Sequence, residues 1–508
     1  MLSKKRFFCF LLLFVLTLFT RFISLNWDNS LSFHPDENNM AMSVLQMDKY
    51  NLNPNFFAYG QFPLYLTFFT TPKHNFTTII LTLRFWSAVF SSASIFIFYF
   101  IAKKIFSSSK FAFIFSLLLI FTPGLIQSAH FGTTESILIF VFASNILLSF
   151  LIFHQPKKKI YLFLASLVSG IGLATKISSL ILMTPIFLSL LLLFLNKISF
   201  KKIFIKSLFI ISTTLFFGII FSPYNLIKSS DFLSTMKYEI GVANGTTQVF
   251  YTRQFIESIP YIFQFKNIFP YTNGIFIFIF GLFGLFLIIK SHKFNPYLIV
   301  TLFSSLIYFL YQGQLFVKWT RFMSPIFFIF PLLSLFVFQK IKSKILLNFL
   351  IFLSLFPGIY FLKTYFISDT RIQATEWINQ NILSESYVLS ESGNVVNIPL
   401  YDSQINVDNF DFYTLDEDQS IEKLTDSINK SDYIFVPSRR VFKNQNNSSY
   451  PLSQKYYQSL FSGELNFSLI KTFSKSNSLF LNSENAEETW SVFDNPTIRI
   501  YQKQNDET

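Results

Sequence analysis

Charge and cysteine are both scarce in this sequence of 508 residues. Only 14% of the residues are charged, whereas 51% are hydrophobic and 72 are phenylalanine. Soluble globular domains carry about a quarter charged residues, so the composition excludes an ordinary soluble enzyme. The single cysteine, Cys9, excludes an intramolecular disulfide and provides no metal or redox motif. Apolar runs of bilayer-spanning length recur between residues 7 and 362, which predicts a polytopic α-helical membrane protein.

Positive charge is unevenly distributed along the chain. The formal net charge is +13, but residues 1–362 have a balance of +21 and residues 363–508 a balance of −8. Most of the basic excess lies in short clusters between apolar runs, as membrane topology requires. Topology therefore explains the charge, and we expect no nucleic-acid partner.

The apolar runs predict about eleven transmembrane helices. They cover residues 7–25, 79–102, 111–128, 135–153, 160–174, 177–195, 203–222, 274–290, 296–312, 324–338 and 345–362. The basic clusters between these runs all fall on one side, which the positive-inside rule makes the cytoplasm. They are Lys4 to Arg6, Lys103/Lys104/Lys110, Lys157 to Lys159, Lys197/Lys201/Lys202/Lys206, Lys290/Lys293 and Lys340/Lys342/Lys344.

This topology predicts a multi-pass protein of the plasma or cytoplasmic membrane with a cytoplasmic N-terminus. An odd number of spans puts the C-terminal region outside, together with the loops 26–78 and 223–273. We expect residues 1–362 to form the membrane domain and residues 363–508 an extracytoplasmic α/β domain. Its predicted helices cover 373–382, 421–429 and 453–461, and its predicted strands cover 387–390, 433–437, 468–473 and 498–502.

Acidic residues are rare in the membrane domain, which has only eight, all on the outer side or at its interface. A proton-coupled transporter would carry acids in mid-span, where a charge is costly and usually functional. No internal repeat is visible either, although secondary transporters often have one. Any chemistry is therefore expected at the outer face.

The segment His34-Pro35-Asp36-Glu37 opens the first outer loop. Pro35 suits the first position of a helix, which places Asp36 and Glu37 in the first turn, where the helix dipole favours carboxylates. We expect the apolar stripe that follows to lie on the membrane surface. The acids either serve only to start the helix or act as a general base for an acceptor hydroxyl.

Glu135, at the outer start of the fourth predicted span, has the same two interpretations. It either occupies the first turn of a helix capped by Thr133 or Thr134, or it supplies a second carboxylate to the outer cavity. His34 and His130 lie nearby in the topology, so a divalent metal is conceivable, but no spaced ligand motif supports one. No metal ligand is assigned, and no cofactor is certain, although a divalent metal is possible.

Four isolated cations mark the outer ends of the predicted spans: Arg84, Lys176, Lys318 and Arg321. Each alone is explained by its side chain reaching up to lipid headgroups. Together they form a candidate phosphate-binding site, in which arginine offers a planar fork that matches phosphate oxygens.

In order, spacing and sidedness, these segments resemble the GT-C membrane glycosyltransferases. The resemblance is to the bacterial, family 39-like branch similar to dolichyl-phosphate-mannose protein mannosyltransferases and the lipid A aminoarabinose transferase. It covers most of residues 1–340. The segments that carry it are His34 to Glu37, Tyr59-Gly60-Gln61-Phe62-Pro63-Leu64-Tyr65, Leu83-Arg84-Phe85, Thr134-Glu135-Ser136, Gly172 to Lys176 and Lys318 to Pro325.

The resemblance implies a GT-C-like fold and transfer of a sugar from a polyprenyl-phosphate carrier to an acceptor, with inversion at the anomeric carbon. It implies that Asp36 is the catalytic acidic residue, with Glu37 as the adjacent acid. Glu135 occupies a position where relatives often carry aspartate. Arg84, Lys176, Lys318 and Arg321 would bind the donor phosphate. Residues His34, Tyr59, Gln61 and Tyr65 would form the substrate loop.

Other functions remain open at this point. A lipid-linked glycan polymerase or ligase would share the outer site but use a diphosphate-linked donor. A lipid or glycan transporter, or an inactive receptor whose outer domain binds glycans, would need no catalytic acid. The sugar and the acceptor, which is a lipid, glycan or protein, are not specified by the sequence.

Overall fold

The architecture is that of a computed structural model, which describes residues 4–291, 295–392, 397–446, 448–475 and 478–504. Lys293, one of the predicted cytoplasmic cations, lies outside these ranges. The first half of the chain is helical. Its helices are α1 (Lys4–Phe22), α2 (Pro35–Leu45), α3 (Phe62–Thr70), α4 (Phe76–Phe106), α5 (Ser109–Ile120), α6 (Pro123–His130), α7 (Glu135–His154), α8 (Lys159–Leu173), α9 (Thr184–Leu195), α10 (Phe200–Phe221), α11 (Tyr224–Ile227) and α12 (Ser229–Asn244).

The second half of the chain contains further helices and, in addition, short strands. The helices are α13 (Ile262–Asn267), α14 (Phe269–Asn273), α15 (Ile275–Ser291), α16 (Pro296–Gly313), α17 (Thr320–Met323), α18 (Ile329–Phe338), α19 (Lys344–Leu362), α20 (Thr370–Asn381), α21 (Leu415–Asp418), α22 (Ile421–Lys430), α23 (Arg440–Asn444), α24 (Pro451–Ser462) and α25 (Glu488–Ser491). Short 3-10 helices cover Ile177–Met183, Phe250–Phe255, Ser324–Ile326, Lys363–Tyr365 and Ser483–Asn485.

By length and composition, the described residues contain six helices able to cross a membrane, or up to nine if each bent pair is one span. Two shorter apolar helices cover Phe7–Phe22 and Lys159–Leu173. Each predicted run coincides with a helix or a bent pair. A multi-pass helical protein is thus confirmed, whereas the count of eleven stays a prediction.

Helices α4 and α7 form the centre of the membrane domain. The span in α7 is 78% buried, whereas that in α10 is only 17% buried and presents an apolar surface outward. Asn75 starts the 31-residue helix α4 by accepting a hydrogen bond from the Thr78 amide, which satisfies one of the free amides of the first turn. The N-terminal part of α4 carries Arg84 into the protein interior.

Helix α2 packs inside the protein rather than on a membrane surface. Its Met40 and Val44 are buried in a cluster with Ile80 and Leu83 of α4. The apolar stripe predicted for a membrane surface is therefore covered by α4, since burial against a helix removes the same apolar area from water. Packing on α4 fixes the direction of the first turn of α2, which carries Asp36.

The C-terminal region contains the predicted mixed domain. Its sheet has the order β2-β1-β3-β5-β4, with β1 parallel to β2 and β3, and β5 antiparallel to β3 and β4. The strands are β1 (Tyr387–Glu391), β2 (Asn406–Phe410), β3 (Tyr433–Val436), β4 (Phe467–Phe473) and β5 (Ile498–Lys503). Of these five strands, the sequence did not predict β2, a polar and mostly exposed edge strand without apolar alternation, and it also missed the short helices α21, α23 and α25.

Residues 482–496, which we call the wedge segment, attach this domain to the membrane domain. Trp490 is 1% exposed and stacks on Phe361, with ring centroids 4.8 Å apart. The Asp494 carboxylate accepts hydrogen bonds from Tyr365 at 2.8 Å and from Gln127 at 3.2 Å. The domain boundary at residue 362 stays a prediction, but the wedge segment joins the two regions through a buried and polar contact.

Candidate functional site

A cavity of about 1050 Å³ lies between the first loop, the turn after α8, helix α12, the segment 311–322 and the wedge segment. Its volume is large for a single small molecule. Four of the residues singled out from the sequence line it: Asp36, Tyr59, Lys176 and Arg321.

Asp36 and Arg321 form an ion pair at this cavity. Pro35 is the first residue of α2 and fixes the turn that presents Asp36. Arg321 belongs to α17 and its guanidinium lies 4.5 Å from the centre of the Trp319 ring. The side chains of Asp36 and Arg321 remain 22% and 17% exposed, so both are accessible from the cavity. Arg321 Nε is buried and has no hydrogen-bond partner among the described residues.

Lys176 provides a second cation on the cavity wall. Its Nζ lies 5.3 Å from the centre of the Tyr59 ring and 4.8 Å from that of Phe322. Burial lowers the pKa of the Lys176 amine, and the carboxylates of Glu135 and Glu239 oppose this effect. Burial also raises the pKa of Tyr59 well above its ordinary value.

A backbone pairing holds Tyr59 beside Lys176. The Gly60 amide donates to the Thr175 carbonyl at 2.9 Å, and the Phe62 amide donates to the Ala174 carbonyl at 3.0 Å. A Cβ atom at position 60 would lie 2.1 Å from the Ala174 oxygen. Only glycine fits there, so the first loop and the turn after α8 approach closely.

Glu37 and Arg84 do not line the cavity but form a buried ion-pair network with Asp28. The Arg84 guanidinium donates to Glu37 at 2.7 and 2.5 Å, to Asp28 at 2.8 and 2.7 Å, and to the Leu25 carbonyl at 2.8 Å. These contacts use all five of its N–H groups. Glu37 also accepts from the Gly132 amide at 2.7 Å. The structure therefore corrects the phosphate-binding role expected for Arg84, because no donor is left for a ligand.

Lys318 is likewise turned away from the cavity. It is 2% exposed, and its Nζ donates to Ser258 Oγ at 3.0 Å and to the Phe316 carbonyl at 2.8 Å. Burial lowers the pKa of the Lys318 amine to about 8. The expected contact of Lys318 with the donor phosphate is not supported by this placement, which gives it a role in holding the 255–258 turn.

Gln61 and Tyr65, expected in a substrate loop, join α3 to the end of α10 instead. Gln61 is fully buried, and its backbone amide donates to Ser222 Oγ at 3.0 Å. Its side-chain nitrogen donates to Asn225 at 3.1 Å, and its side-chain Oε1 accepts from the Tyr224 backbone amide at 2.9 Å. The Tyr65 hydroxyl donates to Gln61 Oε1 at 3.3 Å. Neither side chain lines the cavity.

Glu135 is 5% exposed and is the first residue of α7. Its carboxylate accepts from Thr134 Oγ1 at 3.4 Å, and its charge favours protonated Lys176. It does not line the cavity, so it lies in position to act on Lys176 rather than on a substrate.

His34 and His130, considered as metal ligands, are placed apart from any acidic cluster. His34 lies between the rings of Phe131 and Phe493, and burial together with nearby arginines lowers its pKa well below the ordinary value. His130 pairs through both ring nitrogens with backbone carbonyls. In the part of the chain that the structure describes, no group of three or more His, Cys, Asp or Glu side chains is placed to hold a metal.

Three further charged groups line the cavity and were not selected from the sequence: Glu239, Arg440 and Glu488. Arg440 Nε contacts Glu488 Oε1 at 2.8 Å, and both residues belong to the C-terminal region. Glu239 was recognisable as one of eight rare acids. No local pattern marks Arg440 or Glu488, because the packing of the C-terminal region, rather than a short-range sequence pattern, brings them to the cavity.

The remaining lining of the cavity is mostly apolar. It includes Leu180, Ile181 and Phe187 on one side and Phe232, Met236 and Ile240 of α12 on the other. Leu180 and Ile240 are 45% and 58% exposed. The cavity therefore combines a charged part around Asp36 and Lys176 with an apolar part that suits a hydrocarbon chain.

Candidate spans around a cavity lined by acids and cations, among them Asp36, Lys176 and Arg321, define the class as multi-pass helical membrane proteins. The sequence model described as dolichyl-phosphate-mannose-protein mannosyltransferase matches residues 76–226. The resemblance to GT-C glycosyltransferases noted in the sequence is confirmed by this match, which covers α4 to α11. No curated protein matches the chain in sequence.

Solved structures with a similar chain path include two proteins. ArnT from Cupriavidus metallidurans, bound to undecaprenyl phosphate, has 12% identity over 97% of this chain and 98% of that chain, with a TM-score of 0.47. The Archaeoglobus fulgidus oligosaccharyltransferase tethered to an acceptor peptide has 13% identity over 89% of this chain and 72% of that chain, with a TM-score of 0.45.

Proposed function

We propose that this protein is a membrane glycosyltransferase that moves a sugar from a polyprenyl-phosphate carrier to an acceptor at the extracytoplasmic face, with inversion. The observation that carries the proposal is the Asp36–Arg321 ion pair at a cavity that also contains Lys176. An acid next to two cations provides a proton acceptor and a phosphate site within one enclosure. The family match to residues 76–226 supports the same chemistry.

In the proposed reaction, Asp36 accepts the proton of the acceptor hydroxyl as its oxygen bonds to the anomeric carbon. The bond between that carbon and the phosphate oxygen breaks, and its electron pair leaves with the lipid phosphate. Lys176 and Arg321 stabilise the negative charge that develops on this phosphate. The products are the glycosylated acceptor and the polyprenyl phosphate, so no further reactant is required.

In the proposed reaction, Arg321 pairs first with Asp36 and then, once the donor is bound, with its phosphate. While the donor is absent, Arg321 neutralises Asp36. A bound phosphate competes with Asp36 for the partly exposed guanidinium of Arg321. Asp36 then loses part of the cation that stabilises its charge, which makes it a better proton acceptor for the incoming hydroxyl.

The apolar part of the cavity is proposed to hold the first isoprenoid units of the donor. Leu180, Phe187 and Ile240 present hydrocarbon surface beside the charged part. Burying isoprenoid surface contributes about 25 cal/mol per Å². Phosphate contacts then position the reacting carbon, and the chain supplies affinity.

The proposed outer location of the site follows from the basic clusters on the opposite ends of the spans. It is tested with single cysteines in a Cys9→Ser background, labelled in intact cells by a membrane-impermeant maleimide. Thr425→Cys, on an exposed position of α22, should be labelled. Lys157→Cys, between α7 and α8, should be labelled only after the cells are broken. The opposite result would place the site on the cytoplasmic side.

The donor class is tested by supplying membranes that contain the protein with polyprenyl-monophosphate sugars and polyprenyl-diphosphate sugars. The proposal predicts sugar release from a monophosphate donor, with inverted configuration in the product by NMR. Consumption of only diphosphate donors would favour a glycan polymerase or ligase. Movement of the intact donor across vesicles without cleavage would favour a transporter.

A further inference from the structure

The strongest unassigned feature of the cavity is a set of buried acids contributed by the wedge segment. Glu487 and Glu488 are 1% and 3% exposed. Burying a carboxylate is costly unless strong hydrogen bonds compensate for the loss of water. Two adjacent buried acids beside the cavity therefore require hydrogen-bond partners. One partner of Glu487 is the backbone next to Arg321.

Glu487 binds the backbone directly before Arg321. Its Oε2 accepts from the Thr320 amide at 2.8 Å and from the Thr489 amide at 3.1 Å. Thr320 is the first residue of the four-residue helix α17, whose next residue is Arg321. Because so short a helix has little stability of its own, its orientation depends on contacts such as this one.

A side-chain bridge connects Glu487 to the second acid. Gln254 donates to Glu487 Oε1 at 3.2 Å and to Glu488 Oε2 at 3.2 Å. Glu488 in turn contacts Arg440 at 2.8 Å. The charges of Glu487 and Glu488 also act favourably on the Arg321 guanidinium. The C-terminal domain thus holds the backbone of Arg321 and contributes to its electrostatic environment.

We infer that Glu487 is a positioning residue of the C-terminal domain, which holds Arg321 of the membrane domain in place for its contacts with Asp36 and the donor phosphate. The effect of Glu487 on catalysis rests on the proposed function, whereas its effect on the position of Arg321 can be measured without any substrate. The C-terminal domain is then part of the active site rather than an independent appendage.

Two substitutions separate position from charge. Glu487→Ala removes every side-chain contact with Thr320, whereas Glu487→Gln keeps an oxygen that accepts from the Thr320 amide. Glu487→Gln loses only the hydrogen bond that Gln254 donates to Glu487 Oε1, whereas the one from Gln254 to Glu488 Oε2 remains. Glu484→Ala is the matched control, because Glu484 lies in the same segment but pairs with Arg499 at 2.9 Å, away from the main cavity.

The first readout is the modification of Arg321 by phenylglyoxal in the purified full-length protein, measured by peptide mass spectrometry. Arg321 should be modified several-fold faster in Glu487→Ala than in the wild type, Glu487→Gln or Glu484→Ala. Equal rates in all four proteins would overturn the inference, whatever the donor assays show.

The second readout is turnover of the donor consumed by the wild type. A displacement of about 1 Å can reduce rates by about 100-fold, so Glu487→Ala should lower kcat by about 10- to 100-fold, with recovery in Glu487→Gln. A lower kcat in both variants, with unchanged Arg321 modification, would also overturn the inference. A wild type that consumes no donor contradicts the proposed function alone, since the first readout still decides the positioning.

Discussion

At the scale of single residues, the candidate site depends on which charges are neutralised inside the protein and which face the cavity. Arg84 has all its N–H groups bound to Glu37, Asp28 and a carbonyl. Arg321 pairs with Asp36 alone among the described acids, and both side chains are partly exposed at the cavity. A buried and fully paired cation contributes to structure, whereas a partly exposed cation on a cavity wall can bind a ligand.

The contrast between Lys176 and Lys318 gives a direct prediction. Lys176→Met should weaken binding of the polyprenyl-phosphate donor by about 10- to 150-fold, since a hydrogen bond to a charged group contributes about 1.5–3 kcal/mol. Lys318→Met should leave donor affinity within about threefold and instead lower thermal stability, because Ser258 and the Phe316 carbonyl lose their partner. Equilibrium binding and thermal unfolding measure the two effects. Equal loss of affinity in both variants would return Lys318 to the phosphate site.

At the scale of elements, the site is assembled from helix ends and short turns that cross close to one another. The first turn of α2, the turn after α8 and the short helix α17 each contribute one key charge. Helices supply the framework, because their buried faces pack with little freedom. The connecting segments are held by specific backbone contacts, of which the Gly60–Thr175 hydrogen bond is the clearest.

Gly60→Ala tests this element-scale assembly. The new Cβ would collide with the Ala174 backbone oxygen, and such overpacking costs about 1–3 kcal/mol. We expect lower thermal stability together with loss of donor turnover, since Tyr59 and Lys176 are forced apart.

Gly463→Ala is the control for that experiment. Gly463 has φ +86° but open space around its Cβ position, so alanine costs about 1–2 kcal/mol in backbone strain. It should lower stability without affecting turnover. Normal turnover in Gly60→Ala would show that the close approach does not shape the site.

The sequence predicted the elements better than the site. Periodicity and turn residues located the spans and four of the five strands, because each pattern is local. Chain topology alone was enough to expect Asp36, Tyr59, Lys176 and Arg321 at one face. It could not predict that Arg84 is fully paired, since its partners lie 47 and 56 residues away in sequence.

At the scale of the whole molecule, the two regions are joined by buried polar groups as well as apolar contacts. The Arg371 guanidinium lies 3.7 Å from the centre of the Phe33 ring and donates to the Phe493 carbonyl at 2.6 Å. Asp494 is fully buried at the same junction. The cavity contains residues of both regions, so the relative placement of the regions is a condition of activity.

The junction should be sensitive to pH through Asp494. Burial raises the pKa of Asp494 to about 6, against the pull of hydrogen bonds from Tyr365 and Gln127. Between the ordinary value of 3.8 and about 6, the folded protein binds more protons than the unfolded chain, so Asp494 adds stability as pH falls through this window. Asp494→Asn should reduce the rise in unfolding temperature from pH 7 to pH 5.

Glu391→Gln serves as the control for that titration. Burial raises the pKa of Glu391 to about 8, and its partner is Tyr457 inside the C-terminal domain. This variant should change the pH dependence from about 8 down to the ordinary value of 4.5, which overlaps the Asp494 window, so the effect of Asp494→Asn is also measured in the Glu391→Gln background. An unchanged profile in Asp494→Asn would show that the junction carboxylate does not titrate there.

Asp36 is proposed to accept a proton in a sugar-transfer reaction, and single-turnover transfer by Asp36→Asn is the decisive measurement. General-base catalysis typically contributes about 100- to 10,000-fold in rate, so transfer should fall by about that factor. Binding of the donor should be retained or strengthened, because Arg321 is released from its ion pair. A variant with near-normal transfer would contradict the account and leave the cavity with a role in binding alone.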